Sequence, residues 1–239
     1  MKYLFVHGSW HGSWCWQHLT PFIKQLGHEV ECIDLPGYEC IYPSKVTYND
    51  YYNHLEREIQ KHNEPVVLVS HSMSGIIAGP LADRLGHMIE HVFFIAAFLP
   101  QHGESLLDVA LRYCESEIPK ILKIDTTNKI HIIDKAGAKN VFYHDCSTEI
   151  KKWASDRLLP QPYIPLETPL NWNDSLNSTN KRTYIVCEND KDVSVSSQRA
   201  MARLHRCRIV NLQCGHFPFL SHPKKISQIL TFKFPSKTV

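Results

Sequence analysis

The chain has 239 residues, of which 43% are hydrophobic and 21% are charged, and its formal net charge at pH 7 is +2. This composition excludes a disordered or low-complexity protein, and the length suffices for one large domain with a buried core of several layers. Acidic and basic residues are interleaved, which disfavours a nucleic-acid partner, and no apolar run approaches the roughly 20 residues that a membrane-spanning helix needs.

Short apolar runs alternate along the chain with longer stretches of helical periodicity. This α/β pattern predicts a mostly parallel central sheet flanked by helices on both faces. The predicted strands are Lys2–Val6, Glu29–Ile33, Val66–Val69, His91–Ala97, Thr183–Cys187 and Arg208–Leu212. The predicted helices are Cys15–Leu26, Tyr48–His62, Ile76–Leu85 and one that begins near Pro223. We expect Gly27 to end the first helix and Asn49 or Asp50 to cap the second.

The alternation of strands and helices stops between about residues 100 and 170. Here the sequence predicts helices at Ser105–Tyr113 and Ser147–Leu159 and short β-like pieces at Lys129–Ile133 and Val141–Tyr143. We interpret this stretch as a cap that is inserted into a single domain spanning residues 1–239.

The stretch Ser70–Ser74 lies between a predicted strand and a predicted helix. A nucleophilic serine is often presented on such a turn, and the residues two before and two after it must be small. The usual form is G-x-S-x-G, so serines replace both glycines here. Centring the turn on either neighbouring serine would place Leu68 or Ile76 in a flanking position, which makes Ser72 the nucleophile candidate. The alternative is a serine-rich turn that only caps the helix.

An acidic loop follows the fifth predicted strand, and a histidine follows the sixth. A carboxylate just beyond a strand end can accept a hydrogen bond from a histidine, which fixes its tautomer and stabilises the imidazolium. We select Asp190 as this carboxylate, with Asp192 as the alternative. His216 lies on the loop before the last helix and can reach the serine, whereas His205 and His222 lie at helix ends.

The first predicted strand ends at the turn His7–Trp10. A turn in this position can supply one backbone N–H of an oxyanion hole. We expect Ser9 to supply that N–H and Met73, directly after the nucleophile candidate, to supply the second. Each donor lowers the barrier by roughly 3–4 kcal/mol, because it stabilises charge that appears only in the tetrahedral state.

Ser72, Asp190 and His216 follow one another in the chain order of an α/β hydrolase. Over essentially its whole length the chain resembles the branch of the α/β hydrolases that contains plant methylesterases, hydroxynitrile lyases and small bacterial esterases. The resemblance is carried by Phe5–Trp14, Asp34–Gly37, Ser70–Gly75, Ala96–Pro100, Phe142–Cys146, Glu188–Asp190 and Gly215–Pro218. It implies the α/β-hydrolase fold, a cap over an apolar pocket, and acyl chemistry without a cofactor.

The leading hypothesis is a serine hydrolase that cleaves small carboxylic esters through an acyl-enzyme intermediate. Its candidate pocket residues are Trp10, Phe98, Leu99, Phe142, Trp153, Phe217 and Phe219. Each of the aromatic residues could equally well pack in the core without contacting a substrate. The resembling lyases carry a threonine and a lysine where this chain has Gly8 and Phe217, which argues against cyanohydrin cleavage. A catalytically weak ligand-binding protein is the third interpretation, because two serines replace glycines in the turn.

The eight cysteines contain no C-x-x-C pair, so we expect reduced thiols in a cytoplasmic protein. The histidines lack zinc-ligand spacing, and we expect neither a metal ion nor another cofactor. The expected partner is a small-molecule ester, with no nucleic acid and no membrane. The sequence is compatible with a homodimer.

Overall fold

The structure, a computed structural model, describes residues 1–37, 43–112, 115–172 and 181–232. In these ranges the strands are β1 (Lys2–Val6), β2 (Glu29–Ile33), β3 (Val66–His71), β4 (Ile89–Ile95), β5 (Leu122–Asp125), β6 (Ile130–Ile133), β7 (Gln161–Pro162), β8 (Arg182–Cys187) and β9 (Arg208–Leu212). Tyr113, the end of a predicted helix, and the cysteines at positions 40 and 114 lie outside the described residues.

One sheet holds six of these strands, all parallel, in the order β2-β1-β3-β4-β8-β9. The side chains of its strands pack into two hydrophobic cores, one on each face of the sheet. In β1, Leu4 and Val6 join one core, and Tyr3 and Phe5 join the other, because successive side chains of a strand point to opposite faces. All four are fully buried, which explains why the strand appears in the sequence as a continuous apolar run.

Helices cover both faces of this sheet. In chain order they are α1 (Thr20–Gln25), α2 (Tyr48–Gln60), α3 (Gly75–Arg84), α4 (Leu106–Arg112), α5 (Lys135–Val141), α6 (Thr148–Asp156), α7 (Ile164–Glu167), α8 (Val195–Leu204), α9 (Pro218–Ser221) and α10 (Pro223–Thr231). Leu55 of α2 and Ile77 of α3 pack into one core, and Ile23 of α1 and Ile226 of α10 pack into the other. Within the described ranges, no helix has the length and hydropathy of a membrane span.

The six predicted strands of the large sheet are confirmed, with differences at some ends. β3 continues to His71, so that Ser72 follows the strand directly. β4 spans Ile89–Ile95 rather than His91–Ala97. It ends there because Ala96 has a φ of +43°, which lies outside the extended region.

The predicted helix Cys15–Leu26 is wrong in its first half. A 3₁₀ turn at Ser13–Trp16 comes first, and the α-helix begins only at Thr20, with a proline in its first turn. Proline is favoured at that position because the first helical N–H groups have no intrahelical acceptor. Gly27 ends the helix as predicted, with a left-handed φ of +77°.

The cap of α2 also differs from the prediction of Asn49 or Asp50. Thr47 is the cap residue: its Oγ1 accepts a hydrogen bond from Asp50 N at 3.3 Å, and Asp50 Oδ2 accepts one from Thr47 N at 2.8 Å. Asp50 is therefore the third residue of a capping box rather than the cap itself.

The segment between β4 and β8 contains α4 to α7 and an antiparallel sheet of β5, β6 and β7. The elements predicted at Lys129–Ile133 and Ser147–Leu159 are confirmed as β6 and α6. The β-like piece at Val141–Tyr143 is wrong, because Val141 is the last residue of α5. Its three successive apolar residues are all buried, so they show no helical periodicity in the sequence.

This inserted segment contacts the large sheet at the turn after β1. Leu159 N donates a hydrogen bond to Trp10 O at 3.0 Å, and Trp10 Nε1 donates one to His131 O at 3.1 Å. Gln161 completes the connection, since its Oε1 accepts from Trp10 N at 3.3 Å and its Nε2 donates to Tyr51 Oη at 3.0 Å. The segment therefore lies against the carboxyl end of β1, the edge at which parallel α/β sheets hold their functional groups.

Candidate active site

Ser72 lies at the sharp turn between β3 and α3. Its φ is +52°, in the left-handed region that residues with a side chain rarely adopt. Strain of this kind at a strand-to-helix turn presents a serine hydroxyl at the edge of the sheet. The residue is 5% exposed and lines a cavity. Its backbone thus has the geometry expected of a nucleophile.

The two serines that replace the usual glycines are accommodated by hydrogen bonds. Ser70 Oγ lies 2.9 Å from Ser74 Oγ, and Ser74 Oγ also accepts a hydrogen bond from His71 N at 2.9 Å. The position at which only glycine fits is the next one, because a β-carbon on Gly75 would overlap the carbonyl oxygen of Phe98. The turn therefore keeps its shape without glycine at positions 70 and 74.

Asp190 and His216 form a buried pair, with side chains that are 0% and 1% exposed. His216 Nδ1 donates a hydrogen bond to Asp190 Oδ2 at 2.7 Å. Asp190 Oδ1 accepts from Asp192 N and Val193 N at 2.8 and 3.0 Å, and Gln198 Nε2 donates to Oδ2 at 3.1 Å. These bonds fix the carboxylate, and they leave Nε2 as the histidine nitrogen that can accept a proton.

Asp192, the alternative acid, contacts that second nitrogen. Its Oδ2 lies 3.3 Å from His216 Nε2, and its side chain is 9% exposed. Burial raises the pKa of Asp192 to about 6; the nearby His216 opposes this shift and Asp190 adds to it. Burial favours the neutral form of His216, but the two carboxylates outweigh burial and raise the pKa of His216 above its ordinary value.

The loops that carry the acid and the histidine are anchored by two adjacent residues between α5 and α6. Asp145 Oδ2 accepts hydrogen bonds from Gly215 N at 2.7 Å and from Ser221 Oγ at 2.9 Å. His144 Nε2 donates to Asn189 O at 2.9 Å. Sequence reasoning assigned no role to these anchors, because a polar pair in a loop carries no signal of what it contacts.

The turn after β1 packs directly on Ser72. A β-carbon built on Gly8 would lie 2.8 Å from Ser72 Cβ and 3.0 Å from His71 Nδ1, so a larger residue would displace one of them. Ser9 lines the same cavity as Ser72. Met73 N–H belongs to the first turn of a helix, where backbone donors have no intrahelical acceptor. Ser9 and Met73 therefore remain the candidates for the oxyanion hole that the sequence predicts.

A cavity of about 170 Å³ opens beside Ser72. Its walls are mostly apolar and come largely from the inserted segment, which includes α4, and from the loop after β4. They include Phe98, Leu106, Ala110, Ile118, Leu122 and Leu166. Among the described lining residues, two side chains are acidic or basic: Asp192 and His131. Burial lowers the pKa of His131.

The predicted pocket needs correction. Trp10 and Phe98 line the cavity, but the other five predicted residues are absent from its described lining: Leu99, Phe142, Trp153, Phe217 and Phe219. Trp153 packs against Trp14, with ring centroids 5.3 Å apart, and Leu99 is buried in the core. For these residues, packing with protein neighbours explains the large apolar side chain.

Phe142, Phe217 and Phe219 instead form a buried aromatic cluster behind the histidine. The ring of Phe217 lies 4.2 Å from that of His11 and 4.6 Å from that of His71. Burial lowers the pKa of His11 to about 3 and that of His71 well below its ordinary value, so both are neutral at pH 7. The cluster packs around His216 and places no additional positive charge beside it.

The model of the alpha/beta hydrolase family matches residues 3–229 of the chain. The chain belongs to this family. Its parallel six-stranded sheet with helices on both faces is the α/β-hydrolase fold, which confirms the fold predicted from the sequence.

Among curated proteins, the chain is similar to a carbendazim hydrolyzing esterase from Nocardioides sp., with 24% identity over 96% of this chain and 98% of the relative. It is also similar to methylesterase 10 of Arabidopsis thaliana, with 27% identity over 95% of this chain and 90% of the relative. Among solved structures, a pyrethroid hydrolase from Sphingobium faniae matches with a TM-score of 0.84 and 18% identity, covering 100% of this chain and 99% of the other. The resemblance to methylesterases is thereby confirmed.

Proposed function

We propose that the chain is a serine esterase that hydrolyses small carboxylic esters through an acyl-enzyme intermediate. The observations that carry the proposal are the buried Asp190–His216 pair and Asp192, which contacts His216 Nε2 and lines the same apolar cavity as the strained Ser72. The relatives named esterase and methylesterase support the same reaction. The chemistry needs no metal ion or cofactor, because protein groups supply the nucleophile, the base and the oxyanion donors.

In this mechanism Ser72 Oγ attacks the acyl carbon while His216 Nε2 takes its proton. The backbone N–H groups of Ser9 and Met73 hold the oxyanion of the tetrahedral intermediate. His216 then returns the proton to the leaving alcohol, and water, activated by the same nitrogen, hydrolyses the acyl-enzyme. Asp190 holds the imidazole in the tautomer that leaves Nε2 free and stabilises its positive charge.

Two positions favour ester hydrolysis over cyanohydrin cleavage. Gly8 offers no hydroxyl, and its contact with Ser72 leaves no space for a threonine. Phe217 is 1% exposed within the aromatic cluster, so no cation stands there to stabilise departing cyanide.

A substrate panel tests the proposal. Short 4-nitrophenyl and methyl esters should be hydrolysed with saturation kinetics, whereas mandelonitrile and acetone cyanohydrin should release little cyanide under the same conditions. Cyanide release comparable to ester turnover, or no ester turnover across the panel, would overturn the proposal.

The pH dependence of kcat/KM should report the ionisation of His216. The base must be neutral, so the rate should rise with pH to a plateau, with a midpoint above the ordinary histidine value of about 6.5 because two carboxylates stabilise the protonated form. Asp192→Asn removes one of them and should move the midpoint to lower pH. His11 and His71 are already neutral here and add no second step. A midpoint unchanged in Asp192→Asn would contradict this origin of the shift.

Gly8→Ala should lower kcat/KM for an activated ester by about 10²-fold, because a shift of about 1 Å in reacting groups costs that much. The added methyl group must displace Ser72 or the adjacent oxyanion turn. Steady-state kinetics and the thermal unfolding midpoint should be measured together. Gly86→Ala, in the turn after α3, is the matched control and should keep wild-type kinetics. Wild-type kcat/KM in Gly8→Ala would disprove the tight packing of this turn.

We also propose that residues 1–239 fold as one domain, with the cap at about residues 100–170, and that the protein works in the cytoplasm. The contacts of the inserted segment with the turn after β1 support the first point. The thiols of Cys15, Cys32, Cys146, Cys187 and Cys214, which form no disulfide among the described residues, support the second. Limited proteolysis tests the single domain, and cell fractionation tests the compartment. Light scattering tests whether the protein forms a homodimer.

A further inference from the structure

The wall of the cavity beside Ser72 carries a negative charge that the proposed mechanism does not use. Asp192 lines the cavity, and its side chain is 9% exposed. Its contact with His216 involves Nε2, the nitrogen that must serve Ser72 during turnover. With His216 neutral, as the base must be, the Asp192 carboxylate has no cationic neighbour among the described residues that line the cavity.

With both carboxylates ionised, as at pH 8, the site is anionic in both protonation states of the histidine. With His216 protonated, the three groups Asp190, His216 and Asp192 sum to −1, and with His216 neutral they sum to −2. Asp190 is enclosed by its hydrogen bonds to protein donors, so Asp192 is the carboxylate that an occupant of the cavity meets. Burial of the Asp192 carboxylate is costly even beside the hydroxyl of Ser116 and a neutral His216, and a ligand that supplies a positive charge reduces that cost.

The rest of the wall suits a cation with an apolar body. Trp10 and Phe98 line the cavity, and aromatic faces attract cations. His131 also lines it, but burial lowers its pKa, so it does not supply a positive charge at neutral pH. The described lining therefore contains a carboxylate and aromatic rings but no lysine or arginine that would bind an anion.

We propose that Asp192 is a specificity-determining residue that selects esters carrying a protonated nitrogen on the group occupying this cavity, and that it disfavours anionic ligands there. The inference rests on the proposed function for its ligand class, the esters. The charge preference of the cavity is independent of turnover. The same charge repels the carboxylate product formed at Ser72, which favours product release. Anionic esters and carboxylic acids are correspondingly poor ligands.

The test compares three ligands of nearly equal shape and different charge: benzamidinium, benzamide and benzoate. Their dissociation constants are measured by titration calorimetry at pH 8 and low ionic strength, where Asp192 is ionised. The wild type should bind benzamidinium on the order of tenfold tighter than benzamide, and benzoate more weakly than both. Added salt should reduce this preference.

Variants assign the preference to the residue. Asp192→Asn keeps the shape, and Asp192→Ala removes the carboxylate without adding an amide. In both, the advantage of benzamidinium should disappear and benzoate should bind on the order of tenfold tighter than in the wild type. Glu64→Gln removes one exposed negative charge before β3, at the opposite end of the strand from Ser72, and should keep the wild-type ranking.

Three results would overturn the inference. The wild type could bind benzoate as tightly as benzamidinium, it could fail to bind benzamidinium, or the ranking could persist in a folded Asp192 variant. The wild-type ranking needs no variant and is decisive even if both variants misfold. Because binding is measured without turnover, an inactive protein with the expected ranking would refute only the proposed esterase activity. An active esterase with the opposite ranking would refute only the role of Asp192.

Discussion

Ser72→Ala is expected to lower kcat for ester hydrolysis by about 10⁶-fold, the loss typical of removing a nucleophile whose partners act as a unit with it. The change removes one oxygen from a residue that is already small and whose left-handed backbone is held by the close approach of Gly8. The thermal unfolding midpoint should therefore stay near that of the wild type. Initial rates with 4-nitrophenyl acetate at high enzyme concentration measure the effect.

Ser70→Ala is the matched control, because it removes the same atom from a buried serine of the same turn. It breaks the contact with Ser74 Oγ but leaves the bond from His71 N to Ser74, so only a small loss of activity is expected. Retained turnover in Ser72→Ala, or a larger loss in Ser70→Ala, would show that the nucleophile was chosen wrongly.

Asp190→Asn is expected to lower kcat/KM by about 10⁴-fold. Two backbone donors, Asp192 N and Val193 N, hold the Oδ1 position, so the amide oxygen of the new side chain should occupy it. The amide NH₂ group then faces His216 Nδ1 and stabilises the tautomer with the proton on Nε2, which cannot accept the serine proton.

Asp192→Asn distinguishes this acid from the alternative. It leaves the Nδ1 partner of His216 intact, so its effect on kcat/KM at the pH plateau should be far smaller than that of Asp190→Asn. The comparison uses a neutral ester, for which the charge in the cavity matters least. A larger loss in Asp192→Asn would reverse the roles of the two acids.

The large sheet was predictable because its inner strands β1, β3, β4 and β8 each contain a short apolar run, whereas polar residues interrupt the edge strands β2 and β9. The inserted segment was less predictable. Its strand β7 has two residues, and β5 has no fully buried residue, so neither has a clear apolar pattern. At the end of α5, burial of Val141, Phe142 and Tyr143 together hid the helical period. Tertiary packing, rather than local preference, decides these elements.

The residues of the candidate site were predictable where local geometry dictates them. A small-residue turn between a strand and a helix identifies Ser72, and chain order then selects an acid and a histidine. The spacing of the acidic loop could not separate Asp190 from Asp192, since the choice depends on which carboxylate reaches Nδ1 across 26 residues of sequence. Likewise, an aromatic residue has the same sequence signal in a pocket wall as in a core, and Phe217 belongs to the core.

Covalent labelling with a fluorophosphonate tests the central claim most directly, since it reports nucleophilicity and the labelled atom together. Wild-type protein should gain one adduct in its intact mass, fragmentation should place the adduct on Ser72, and loss of His216 should slow labelling severely. No adduct on folded wild-type protein, or an adduct on Ser70 or Ser74, would contradict the assignment of Ser72 as the nucleophile of an esterase.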